Sequence, residues 1–114
     1  MLALMAGSPE VELLWWEECP SWERALSMLR EEMEAAGLDP ASITVTRIET
    51  AEDAERARFP GSPTIRIDGH DLQPPGEAEP GGLTCRIYRT RDGRISPLPD
   101  PRDLREALAN SMRQ

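Results

Sequence analysis

The chain has 114 residues, a length that supports one compact core, and its 39% hydrophobic share, before eight glycines are added, is that of a folding sequence. Twenty-one acidic against thirteen basic residues leave a net charge of −8, which disfavours nucleic acid and anionic lipid as partners. Every basic residue is arginine, so chemistry that needs a lysine, such as a Schiff base or a Walker-type phosphate contact, is excluded. No apolar run reaches the roughly 18 residues of a membrane span, and residues 1–6 are too short and lack the basic flank of a signal peptide. The expectation is a cytoplasmic protein with no membrane association.

Residues 1–9 read as an N-terminal tail and residues 10–114 as one domain. The run E-V-E-L-L-W-W at 10–16 is short, apolar and β-favouring, and reads as a buried strand ending at Glu17, Glu18, Cys19 and Pro20. Pro20 suits a first helical position, which puts Cys19 at the N-cap. The helix that follows repeats Trp22, Ala25, Leu26, Leu29, Met33 and Ala36 at helical spacing and stops at Gly37. Residues 43–48 are β-branched at most positions and predict a second strand. Thr50 with Asp53 three residues on resembles a capping box opening a short helix that ends near Phe59.

Pro60 and Gly61 break the chain, and Ser62-Pro63 introduces a third strand at 64–68, turned by Asp68-Gly69. Residues 69–83 form a long proline- and glycine-rich connection: a lid, an Ω-loop or a flexible link. The fourth strand is expected at 84–90, followed by an Asp92-Gly93 turn. Asp100-Pro101 then caps a final helix bearing Leu104, Ala107, Leu108 and Met112. The order is βαβαββα, an α/β fold with a four-stranded mixed sheet flanked by helices.

Two cysteines in a reducing compartment read as free thiols, and with His70 as the one histidine no zinc cluster assembles, so no metal site is expected. His70 in D-G-H-D reads as a solvated turn residue with no role. The positive end of a helix stabilises a thiolate at Cys19, while Glu17 and Glu18 oppose it. Trp15 reads as core packing, whereas Trp16 and Trp22 are candidates to line a groove beside the thiol. Arg66, Arg86, Arg89, Arg91 and Arg94 read either as a solvated sheet edge or as a clamp for a carboxylate.

The string W-W-E-E-C-P-S-W between a first strand and first helix, with S-P-T-I-R-I-D-G opening a later strand, resembles the thioredoxin superfamily. That resemblance implies a reactive cysteine at Cys19 and a cis proline at Pro63 which, with Ser62, offers backbone groups to a thiol-bearing partner. Trp22 stands where dithiol members carry a second cysteine, so the resemblance implies monothiol chemistry with a small thiol, disulfide or soft electrophile. It requires no resident cofactor, with glutathione or another external thiol resolving the adduct. Pairing the third and fourth strands antiparallel would place Cys85 about four residues, or ~13 Å, from the Pro63 end, as a small buried residue in step with Ile87. A different register would make Cys85 a second thiol. The C-P motif, the G-S-P-T-I-R-I-D-G segment and the later L-T-C-R-I-Y segment together also resemble small thioredoxin-like proteins grouped with alkylmercury lyases, which implies handling of soft metals or organomercurials; a thioredoxin-fold binding module without catalysis is the other alternative.

Overall fold

The computed structural model describes residues 8–74 and 82–112. The first seven residues of the expected tail, residues 75–81 of the expected long loop and the last two residues lie outside that set.

β1 (Val11–Trp15) is the axis of the molecule. It is central because its side chains are apolar on both sides: Val11 and Leu13 pack on one face of the sheet and Leu14 on the other. After α1 (Trp22–Ala35) and a short 3₁₀ turn (Pro40–Ser42), β2 (Thr44–Arg47) pairs parallel to β1, with Leu13 opposite Val45. α2 (Ala51–Ala57) leads to β3 (Thr64–Ile67), which pairs antiparallel to β1 on its other side, with Leu13 opposite Ile65. β4 (His70–Asp71) completes a four-stranded mixed sheet in the order β2-β1-β3-β4. A separate hairpin, β5 (Tyr88–Arg89) with β6 (Ile95–Ser96), precedes α3 (Pro101–Met112).

The helices cover the sheet as their apolar spacing requires. Ala25, Leu26, Leu29 and Met33 of α1 and Leu104 and Leu108 of α3 bury against Val11, Leu13, Ile65 and Ile67. Leu14, Ile48, Ala54 and Phe59 form a smaller core on the opposite face, with the Trp16 ring packed against it. The capping box appears as expected: the Thr50 hydroxyl accepts from the Asp53 N–H at 3.0 Å. No helix among the described residues is long and apolar enough to cross a membrane.

Four expectations about these elements need correction. α1 begins at Trp22 with Ser21 as N-cap, so Cys19 lies two residues before the cap in a turn rather than at the cap. The turn is closed by the Cys19 N–H donating to the Trp16 carbonyl at 3.0 Å. The partner of β3 is His70–Asp71, not residues 84–90: Asp68 and Gly69 both take positive φ, 53° and 81°, so the chain reverses within two residues and pairs at once. His70 is therefore a paired strand residue rather than a turn residue. Finally, Trp15 is half-buried rather than a core residue. It stacks on Trp22 at 4.0 Å between ring centroids, and the Arg47 guanidinium lies 5.8 Å from its ring.

Asp100 locks α3 to the hairpin. Its carboxylate accepts from the Arg102 N–H and Arg91 N–H, each at 2.9 Å, and from the Arg102 guanidinium. The Arg102 hydrogen bond first, then these backbone donors, hold the Asp100 carboxyl far below the usual carboxylate range. A depressed folded-state value gives stability that is complete above the unfolded aspartate value of about 3.9 and lost as pH falls toward the folded one. Asp100→Asn is accordingly expected to lower the melting temperature at neutral pH, with the gap to the native chain narrowing in acid. Melting curves across that range check this, and a gap independent of pH would contradict it.

Candidate functional site

The site is organised by Ser62, which immediately precedes Pro63 at the head of β3 and is fully buried. The chain leaving β1 is anchored here, because the Trp16 N–H donates to the Ser62 hydroxyl at 3.0 Å. The turn from Trp16 then delivers Cys19 above the same residue, and the Cys19 S–H donates to the Ser62 carbonyl at 3.4 Å. The Ser62–Pro63 peptide bond is cis. Cys19 is 3% exposed.

Residues 84–86 run past Ser62 as a strap. Ser62 N–H donates to the Thr84 carbonyl at 2.9 Å and the Arg86 N–H donates to the Ser62 carbonyl at 2.8 Å, a parallel bridge that sets Cys85 beside Ser62. Gly61 permits the close approach. Its φ is +135°, and a Cβ there would stand 3.2 Å from the Arg86 Cβ and 3.3 Å from the Thr84 Cγ2.

This overturns the expected separation of the cysteines. The ~13 Å estimate assumed that 84–90 pairs along β3. With β4 in that place, the strap crosses at Ser62 instead, which sets Cys85 beside the residue whose carbonyl accepts the Cys19 S–H. Partial desolvation, then the Cys19 thiol beside it, pushes the Cys85 thiol above its ordinary value. Both cysteines are free, Cys19 buried and Cys85 exposed.

The strap also faces the other way from expectation. Arg86 and Tyr88 point inward, while Cys85 is exposed and Ile87 is 64% exposed. An inward arginine is tolerated because all of its chemistry is matched. Its guanidinium grips Asp71 through two 2.8 Å hydrogen bonds, donates to the Gln73 carbonyl and to the Thr64 hydroxyl at 3.3 Å, and lies 4.5 Å from the Tyr88 ring. The Tyr88 hydroxyl in turn donates to the Pro63 carbonyl at 2.6 Å, and burial pushes its ionisation well above the ordinary tyrosine range.

Four of the five arginines proposed as a clamp are engaged elsewhere, and the fifth, Arg89, is exposed. Arg66 donates to the Ala57 and Arg58 carbonyls at the end of α2, Arg86 is held by Asp71, Arg91 pairs with Asp103 and Glu106, and Arg94 pairs with Asp92. Ser62 and Pro63 are at the thiol as expected, but their backbone groups are engaged by the strap and by Tyr88. Trp16 contributes backbone hydrogen bonds to this junction, with its ring directed to the smaller core, and Trp22 packs against Trp15. Sequence reasoning missed the Arg86–Asp71 strut and the Tyr88 contact. The alternation in C-R-I-Y was the available signal, since Arg86 and Tyr88 share one face of an extended segment.

Comparison with protein-family models, with curated proteins and with solved structures finds no match to this chain.

The strut makes a distinctive stability prediction. Arg86→Leu leaves the Asp71 carboxylate nearly buried and unpaired and is expected to cost roughly 3–5 kcal/mol in denaturant unfolding. The double variant Arg86→Leu with Asp71→Leu should recover much of that loss. Two single losses that simply add would show that the pair is not a coupled unit.

Proposed function

We propose that the protein performs thiol–disulfide chemistry through Cys19, with Cys85 supplying the second thiol that the C-P-S-W segment lacks. One observation carries the reading: the strap of residues 84–86, paired to both backbone groups of Ser62, presents Cys85 to Cys19. Such a pair passes two electrons to a disulfide and closes as a Cys19–Cys85 bond; glutathione or another external thiol reopens it. No cofactor is needed.

The thioredoxin-like reading of the fold is supported by β1 and β2 running parallel on either side of α1 in the chain, by antiparallel β3 and β4, and by a Ser62–Pro63 segment at the head of β3 whose Ser62 carbonyl meets Cys19. The neighbourhood departs from that family in one respect that bears on substrate. The backbone edge that the resemblance offers to a partner is filled by this chain's own residues, which favours a small thiol, disulfide or soft electrophile over an extended peptide.

A second reading draws on the same two sulfurs. Among the described residues no group of three or more His, Cys, Asp or Glu side chains gathers to hold a metal, and the cysteine pair offers two soft donors. Two thiolates suit a soft cation or an organomercurial, in line with the resemblance to proteins grouped with alkylmercury lyases.

Mild oxidation followed by peptide mass spectrometry distinguishes dithiol from monothiol chemistry. The expected product is a monomer with a Cys19–Cys85 disulfide, formed by neither Cys19→Ser nor Cys85→Ser. A stable glutathione adduct on Cys19, with Cys85 still reduced, would return the protein to the monothiol class.

A further inference from the structure

We propose that Cys85, not Cys19, is the thiol that first attacks the substrate disulfide, and that Cys19 acts second as the buried resolving thiol. This rests on the dithiol reading above and assigns the order of its steps. Three observations point to it. Cys19 is 3% exposed and its S–H is directed at the Ser62 carbonyl, so an external disulfide has little access to its sulfur. The backbone groups through which a partner would dock beside Cys19 are already bonded, Ser62 to Thr84 and Arg86, and the Pro63 carbonyl to the Tyr88 hydroxyl. Cys85 lies on the outward side of the strap with Ile87, exposed to solvent, while bridged to Ser62, the residue whose carbonyl accepts the Cys19 S–H.

With a low-molecular-weight disulfide the reaction runs in two exchanges. Cys85 gives its proton to solvent, and its sulfur attacks one sulfur of the substrate. The substrate S–S bond breaks, a mixed disulfide forms on Cys85, and one thiolate leaves. Cys19 then loses its proton to that thiolate and attacks the Cys85 sulfur. The mixed disulfide breaks, the Cys19–Cys85 bond forms, and the second substrate thiolate leaves and takes a proton from solvent. One disulfide is reduced to two thiols while the protein dithiol is oxidised to a disulfide. The raised ionisation of the Cys85 thiol slows the first step at neutral pH but does not open a route to the buried sulfur.

The probe is dipyridyl disulfide, whose released thiopyridone is followed by absorbance, with folding of each variant checked by tryptophan fluorescence. The native chain is expected to release two equivalents, Cys19→Ala one equivalent with Cys85 labelled no more slowly than in the native chain, and Cys85→Ala to react about tenfold more slowly or worse. In denaturant the single variants should react alike. Should Cys19→Ala fail to fold, acid quenching of the native chain with limiting probe identifies the first labelled sulfur by mass spectrometry, and Cys85 is expected. First labelling at Cys19, or a Cys85→Ala variant as fast as the native chain, overturns the order while leaving dithiol chemistry intact. A native chain that stops at one equivalent, with no internal disulfide, overturns the dithiol reading and the order together.

Discussion

Four stretches of chain meet at one buried serine. Ser62 accepts the N–H of Trp16 on its hydroxyl, donates its own N–H to Thr84, and receives the Arg86 N–H and the Cys19 S–H on its carbonyl. Each of these groups is polar and, at a fully buried residue, would cost about 1–3 kcal/mol if left unmatched. The arrangement therefore fixes positions as well as contributing stability. The exit from β1, the turn bearing Cys19, the start of β3 and the strap bearing Cys85 have a common reference point, and the distance between the thiols follows from it.

The strap stays on that point because of what lies beneath it. Arg86 enters the interior held by Asp71 from β4, and Tyr88 reaches the Pro63 carbonyl beneath the same backbone. A buried bidentate ion pair is a modest source of net stability, but it is selective, since a one-residue slip of the strap would expose Arg86 and strand Asp71. The same alternation turns Cys85 outward. Packing of the inner face thus decides that one cysteine is reachable from solvent and the other is not.

Much of this was legible in the sequence, and the failures have definite causes. The apolar spacing of α1 and α3 and the two-sided apolar character of β1 located those elements, because burial imposes those periods directly. Cys19, Ser62 and Pro63 were found as a group through motif resemblance, and they do converge. The strand pairing is hidden because residues 84–90 are the more β-favouring segment, whereas the Asp68-Gly69 reversal lets two polar residues pair first, at almost no loop-closure cost. The face of the strap is not legible in the sequence, because apolar spacing alone places Cys85 and Ile87 inward. Here a fully matched arginine displaced them, and its partner, Asp71, is visible only once β4 is in place.

The account depends on the folded chain holding two sulfurs together that are sixty-six positions apart in sequence. The most direct test is the equilibrium between the reduced pair and its disulfide in a glutathione redox buffer, measured on the folded chain and again in denaturant. The ratio gives the effective concentration of one thiol at the other. Juxtaposition at Ser62 predicts a folded-state value higher than the unfolded one by more than about tenfold. A folded-state value equal to or below the unfolded one would contradict it.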